Sequence, residues 1–317
     1  MTVLVTGGAG FVGNNIIDML VKQNKSVRAM VRNAAKAQKR LGHYGDKVEI
    51  AVGDVTKPDR LSGLLDGVDA VIHTVAISME KGGQSYEEVN YQGTVHMVDA
   101  AVQAGVKRFI NISQNGADSA LPYRFLASKG KAQDYVAASD LEWTALRPSA
   151  IFGPQDEFFN TFARLVRLTP VVFPLIGGGK SEFQPVSVLD VAEAAARCLD
   201  DESTIGKELT LGGPEVLTLG EIEKRVIEAL GTSRIMIPVP VAVLRPAVII
   251  MENTLPGSPV SSGLLELLAV PNTVPDNALA HFFEMEPIPF RGKHIEYLRA
   301  TSAGQAIKKF VTGAVVN

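Results

Sequence analysis

The chain has 317 residues, 46% hydrophobic, 21% charged and 6% aromatic, which is too apolar for a disordered chain. Its 31 basic and 34 acidic residues leave a net charge of −3, so there is no global electrostatic case for binding nucleic acid or an anionic membrane. The single cysteine, Cys198, excludes an intramolecular disulfide framework and a cysteine-cluster metal site, and it fits a reducing, cytoplasmic compartment.

No signal or transit peptide is expected ahead of the first strand. Residues 3–6 predict a buried strand, 11–22 a helix and 26–31 a second strand. Residues 48–52 form a third strand that ends in the turn Gly53-Asp54. A buried strand follows at 70–74, a helix at 91–104 and a strand at 108–112. A helix at 128–138 leads to a sixth strand at 143–146, closed by Arg147-Pro148. Crossovers of this length imply right-handed βαβ units and a doubly wound parallel α/β sheet covered on both faces.

Beyond Gly153 prolines and glycines become frequent, and residues 175–180 contain the turn Gly177-Gly178-Gly179. Residues 188–199 return to helix, because Val191, Ala195 and Leu199 recur at helical spacing. A further helix is expected at 219–230, then helical pieces among proline breaks. The expected organisation is a dinucleotide-binding domain over 1–153, completed by about 183–205. Residues 154–182 and 206–317 make a smaller, mixed, mainly helical lobe. The apolar run 235–251 holds three prolines and Arg245, whereas a membrane span needs roughly 20 uninterrupted apolar residues. It is expected to pack or to line a hydrophobic site, with peripheral membrane contact as the second reading and no transmembrane helix.

Thr6-Gly7-Gly8-Ala9-Gly10-Phe11-Val12-Gly13 follows the first strand and opens a helix, the context that makes a glycine motif informative. Gly7 permits the tight turn, Gly10 lets backbone approach a pyrophosphate, and Gly13 allows close helix packing. Thr6, Phe11 and Val12 belong to the same loop and helix start. The helix N-terminus offers unpaired N–H groups to the phosphates. The cofactor is then chosen at the end of the second strand. An NAD site would place a carboxylate on the ribose 2′-hydroxyl there; this chain has Arg32. Between Lys22 and Lys47 stand eight basic residues against one acid, Asp46. A guanidinium grips a 2′-phosphate in a bidentate way, so NADP(H) is preferred over NAD(H). Lys36, Lys39 and Arg40 are read as a solvated helix face. Asp54, with Val55, either accepts from an adenine amino group or caps a following helix. Ala76 would lie along the cofactor, and His73 is read as a satisfied sheet-end histidine.

TGGAGFVG at 6–13, GDV at 53–55, Asn90 with Gly93-Thr94, Ser128-Lys129 and LRPSAIFGP at 146–154 together resemble an extended or atypical short-chain dehydrogenase/reductase, a Rossmann-fold superfamily. Residues 123–151, DEFFN at 156–160, PLIGGGK at 174–180 and FQPVSVLDVA at 183–192 resemble its NDUFA9-like branch, which includes an accessory subunit of respiratory complex I. The resemblance implies catalysis by a tyrosine with a lysine four residues later and a hydroxyl on the preceding strand end. Four before Lys129 stands Phe125, which transfers no proton, and Tyr123 lies six before. Ser113 supplies a hydroxyl, although Asn115 is nearer the place where the family's hydroxyl is expected. Either Tyr123 reaches in from an irregular segment after Pro122, or the site does no tyrosine-dependent chemistry. The resemblance also implies that Lys129 donates to the nicotinamide ribose and that Pro148 packs by the nicotinamide ring. Sugar-nucleotide epimerases of the superfamily carry an arginine where Phe183 stands, which argues against epimerisation. Phe158, Phe159, Phe173 and Phe183 either line an apolar pocket or form core.

Two functions follow. One is an NADP(H)-dependent reductase of a small hydrophobic carbonyl or quinone-like substrate, with a non-standard proton relay. The other is a catalytically silent nucleotide-binding accessory or redox-sensor protein that binds a protein partner. Nucleic acid is not an expected partner, since no aromatic–basic platform accompanies the negative net charge.

Overall fold

A computed structural model describes residues 1–255, 258 and 270–312. The chain divides into two compact units. The first comprises Met1–Pro148, Val188–Leu211 and Asp276–Met285; the second comprises Ser149–Ser187, Gly212–Pro275 and Glu286–Asn317.

In the first unit β1 (Thr2–Thr6), β2 (Ser26–Val31), β3 (Val48–Val52), β4 (Ala70–His73), β5 (Arg108–Ile112), β6 (Glu142–Pro148) and β11 (Lys207–Leu211) form one sheet. Its order is β11-β6-β5-β4-β1-β2-β3, and every neighbouring pair is parallel. Strands covered on both faces are shut off from solvent, and β4 and β5 are buried along their whole length, including the polar His73, Arg108 and Asn111. From β1 the chain winds outward through β2 and β3, then returns to place β4 on the other side of β1. That reversal opens a crevice at the carboxyl ends of β1 and β4, where such sheets bind ligands. Helix α1 (Phe11–Lys22) buries Gly13, Ile16, Ile17, Leu20 and Val21, a stripe at helical spacing. It packs against α6 (Val188–Cys198). Helix α2 (Ala34–Leu41) buries Ala37 and Leu41.

Two helices begin earlier than expected. Helix α3 (Gly93–Gln103) is preceded by a π-helical turn over Glu87–Gln92, and α4 (Arg124–Ala137) starts four residues early. The buried side of α4 includes Ser128, Lys129, Gly130 and Gln133, a stripe that hydrophobic periodicity does not register. A Cβ on Gly130 would fall 2.2 Å from the Ser119 backbone nitrogen, so α4 lies directly on that loop. At the far end of the sheet Arg108 is buried. It donates to the carbonyls of Cys198 and Glu142 and to the hydroxyls of Thr144 and Thr204. This ties the last turn of α6 to β5 and β6.

The second unit contains three strand pairs among the described residues. β7 (Ile151–Phe152) pairs with β10 (Val186–Ser187), β8 (Val172–Ile176) with β13 (Ile235–Val239), and β9 (Glu182–Phe183) with β12 (Leu217–Thr218). Around them lie α5 (Phe158–Leu168), α7 (Leu219–Ala229) and α8 (Val241–Thr254). Thr218 and Glu221 form a reciprocal capping box at the start of α7. Phe159, Phe173 and Phe183 are buried in the core with Phe152, Phe162 and Phe290, so they are packing residues; Phe158 sits partly buried beside them. The apolar run at 235–251 is only half buried. Met236, Val241, Leu244, Val248 and Met251 face the core, whereas Ile235, Ile237, Val243 and Ile250 are exposed. The run therefore packs through one of its sides. No helix among the described residues is long and apolar enough to cross a membrane.

Candidate functional site

The glycine loop sits at the switch point, and its geometry is imposed by contacts that exclude side chains. Gly7 adopts φ +66°, a region that costs an L-residue, and a Cβ there would meet Thr74 Oγ1 at 2.8 Å. A Cβ on Gly13 would stand 2.5 Å from the Gly7 carbonyl oxygen, so only glycine lets α1 start this close to the loop. The Gly10 N–H donates to Gly7 O (2.7 Å), and the Gly8 N–H donates to Met30 O at the end of β2 (3.1 Å). Gly10 caps α1 without a side chain, and the first turn carries no acidic residue. The positive helix end and the N–H groups of its first turn, among them Phe11 and Val12, are therefore uncompensated. This cradle fits the pyrophosphate of a dinucleotide.

The neighbouring side chains divide into those that shape the loop and those left free. Thr6 is buried and shapes it: its hydroxyl accepts from Thr74 N (3.0 Å) and meets His73 Nδ1 (3.0 Å). Thr94 gives its own proton to the Asn90 carbonyl, so it accepts from His73 Nε2 at 3.2 Å. The ring is then the neutral Nε2–H tautomer, with Nδ1 accepting from Thr6. Burial, helped by the Lys129 charge, pushes the His73 pKa down to about 3. His73 is thus a satisfied core histidine. Asn90 holds residue 77 through both its backbone groups and donates to Ser128 Oγ (3.1 Å). Ala76, one residue earlier, is exposed on the segment beside Gly7.

The helix-cap role expected for Asp54 is corrected to an Asx-type turn: its Oδ1 accepts from Thr56 N (3.0 Å) and Thr56 Oγ1 (2.9 Å), and the N-cap of the helical turn Pro58–Arg60 that follows is Lys57. Val55 is buried against Gly93, where a Cβ would come within 2.6 Å of its Cγ2. Arg32 follows β2 directly and is exposed, with no hydrogen bond or ion pair among the described residues. Arg40 departs from the expected solvated face. It is half-buried and donates from Nη1 to the Ala9 carbonyl of the glycine loop (2.6 Å). The available signal was its place three residues after Ala37, on the flank of the buried stripe of α2.

The proton-relay region lies at the carboxyl end of β5. Lys129 is buried and donates to the Ile112 carbonyl (2.8 Å); burial pushes its pKa down to about 8. Ser113, the next residue, buries a hydroxyl with no partner among the described residues. Phe125 stands one helical turn before Lys129, with its ring edge-on to Tyr86 at 5.6 Å. Tyr86 is buried and donates to the Ser78 carbonyl (3.0 Å). An aromatic pair thus fills the place of the expected tyrosine. Tyr123 is the extended N-cap of α4 (φ −82°, ψ 108°), half-buried, and its hydroxyl has no partner among the described residues. It therefore precedes α4 and shares no helical face with Lys129. Asn115 donates its N–H to the Pro148 carbonyl (2.9 Å), which fixes this loop at the end of β6.

Comparison with known proteins agrees with the cradle. The sequence pattern of an NAD(P)H-binding family matches residues 7–202. Over 308 residues the chain is 29% identical to NADH dehydrogenase [ubiquinone] 1 alpha subcomplex subunit 9, mitochondrial, of Arabidopsis thaliana, covering 93% of this chain and 76% of that one. Over 263 residues it is 30% identical to a 3 beta-hydroxysteroid dehydrogenase/Delta 5-->4-isomerase of Mycobacterium tuberculosis, covering 72% and 69%. Among solved structures, UDP-glucose 4-epimerase from Thermus thermophilus in complex with NAD superposes with a TM-score of 0.63 at 25% identity, over 76% of this chain and 86% of that one. The chain therefore belongs to the NAD(P)H-binding family, as a Rossmann-fold protein of the oxidoreductase-like short-chain dehydrogenase/reductase type with NDUFA9-like relatives.

Proposed function

We propose that this protein binds NADP(H) in preference to NAD(H) and works as an oxidoreductase on a small hydrophobic carbonyl or quinone-like substrate, with a non-standard proton relay. The observation that carries the proposal is Arg32, a guanidinium without a partner at the end of β2, where an NAD site would hold a carboxylate. When bound, the dinucleotide supplies a hydride. The chain's own part is to hold the phosphates at the glycine loop and the start of α1, and to keep Lys129 as a donor near Ser113. Tyr123 or water would deliver the proton. The steroid-dehydrogenase relative supports an apolar substrate, and Phe183 at the epimerase arginine position argues against a sugar nucleotide. A reducing, cytoplasmic setting suits the free, buried Cys198.

The decisive experiment is a fluorescence titration of nucleotide-stripped protein with NADPH and NADH. NADPH is expected to bind at least ten-fold more tightly, and Arg32→Ala to remove most of that preference. Equal binding of the two nucleotides would sink the cofactor assignment.

Phe125 favours a second reading, a catalytically silent NAD(P)(H)-binding accessory or redox-sensor protein that engages a protein partner. The Arabidopsis relative supports it. The two readings separate by mutation. If the protein turns over, Tyr123→Phe is expected to lower kcat ten-fold or more. Under the silent reading the wild type shows no turnover, and Phe125→Tyr, which restores the tyrosine one turn before Lys129, is the variant expected to gain it.

A further inference from the structure

The four most exposed large apolar side chains among the described residues are Val171, Ile235, Val243 and Ile250, each 60–64% exposed. All four lie on β8, β13 or α8, or on the residue leading into β8. In the β8–β13 ribbon Val172 stands beside Ile235 and Pro174 beside Ile237, while Phe173 stands beside Met236. Partners in register share a face of the ribbon. It therefore turns Phe173 and Met236 to the core and Val172, Ile235 and Ile237 outward. Helix α8 follows β13 after Pro240 alone and carries apolar side chains on two sides. Val241, Leu244, Val248 and Met251 pack against the core at helical spacing. Val243, Pro246 and Ile250 form a second stripe at the same spacing, and it is exposed. A core needs only the first stripe.

The charges of this region are one-sided. Residues 161–181 and 229–251 hold Arg164, Arg167, Lys180, Arg234 and Arg245 and no aspartate or glutamate, in a chain of net charge −3. The first acid beyond them is the half-buried Glu252, at the polar end of α8. Arg164 pairs with Glu157; the other four cations have no carboxylate partner among the described residues. Arg234, next to Ile235, donates to the carbonyls of Val166, Thr169 and Ser233 and keeps its charge. Arg245 is exposed at one margin of the outer stripe, where its stem lies along apolar surface and its guanidinium reaches water.

We infer that the outer face of β8, β13 and α8 is a peripheral docking surface for an anionic phospholipid bilayer. Such a boundary takes apolar side chains below the phosphates and cations level with them. The attraction is local: charges more than about 8 Å away are largely screened at physiological salt, so the negative excess elsewhere on the chain does not cancel it. A further β-strand is a poor occupant, since Pro174 and Pro238 stand within the two strands and have no N–H to donate. With 14 residues, α8 lies on the bilayer rather than spanning it.

The test is flotation of the full chain with vesicles of phosphatidylcholine alone and of phosphatidylcholine with about one-third phosphatidylglycerol. Wild type is expected to partition onto the anionic vesicles at least ten-fold more than onto the neutral ones, and to lose most of that binding at high salt. Ile235→Ser and Ile250→Ser are each expected to weaken it three-fold or more, and Arg245→Gln two-fold or more, with thermal midpoints unchanged. Absence of binding to either vesicle overturns the inference. So does equal binding to both, or binding that the two isoleucine variants leave intact. A dimer in light scattering that Ile250→Ser dissociates, without vesicle binding, would give the face to a second copy of the chain instead. Should one isoleucine variant fail to fold, the other decides.

Discussion

Replacing Arg108 with methionine is expected to lower the unfolding free energy by about 3–5 kcal/mol, more than any change at the nucleotide site. Arg108 is buried; its hydrogen-bond partners are the neutral oxygens of Cys198, Glu142, Thr144 and Thr204, and the Glu142 and Asp201 carboxylates are near enough to favour its charge against the cost of burial. Cys198 is the last residue of α6, so its carbonyl is one of those a helix leaves unsatisfied, and the cation also faces the negative helix end. Methionine fills similar space but takes the donor away from the Cys198 and Glu142 carbonyls, while the Thr144 and Thr204 hydroxyls keep their bonds to the Thr204 and Asp201 carbonyls. Each such group costs about 1–3 kcal/mol, partly offset because Thr144 and Thr204 also bond each other at 3.2 Å. Lysine reaches some acceptors with one head and is expected to recover at most half. Urea unfolding of the two variants measures this directly. A loss under about 1 kcal/mol for Arg108→Met would show that the return of the chain at α6 needs no such tie.

Glu223 is expected to act in the opposite direction. It lies on the buried side of α7 with no exposed surface, and neither carboxyl oxygen has a partner among the described residues. Burial pushes its pKa up to about 8, from 4.5. The folded state therefore keeps the proton at pH values where the unfolded chain releases it. Stability is greatest below the unfolded pKa and falls as pH rises toward the folded one, by at most ~1.4 kcal/mol per pH unit. Glu223→Met removes both the proton uptake and the bare oxygens at nearly constant length. It is expected to flatten the stability profile between pH 5 and pH 8 and to be more stable than wild type at pH 8 by about 2 kcal/mol or more. Denaturant midpoints at the two pH values check this. Parallel profiles for both proteins would mean that Glu223 finds a partner or releases its proton.

The dinucleotide cradle was legible because its physics is local. Gly7, Gly10 and Gly13 are needed within one turn and one helix start, and short apolar strands between helix-length segments specify a parallel sheet without further information. Arg32 belongs to the same class, since its place follows from counting along the chain. The catalytic end was legible only as a gap: Phe125 at the tyrosine position is visible in the sequence. Its edge-on packing against Tyr86 is not, because thirty-nine positions, with α3 and β5 among them, separate the two.

Side chains whose partners are distant in the sequence needed the fold. Thr6 reads as a loop residue, yet its hydroxyl is taken by Thr74 and His73, 67 or more positions away. Arg40 reads as a surface cation, and the fold brings its guanidinium onto the Ala9 carbonyl, 31 positions away. Which residues of the apolar run 235–251 pack was not legible: Ile235 and Ile250 are exposed, because a strand paired on one edge and a helix packed on one side bury only half of it. Glu223 sits among Leu219, Ile222 and Val226 in an α7 whose buried side is set by the second unit's core. Sequence alone determined the sheet, the glycine turn and the kind of ligand, since these depend on backbone geometry within a few residues. The tertiary structure alone decided which polar side chains are spent on the fold and which remain for a ligand, since a hydrogen bond between residues far apart exists only once the chain has closed around them.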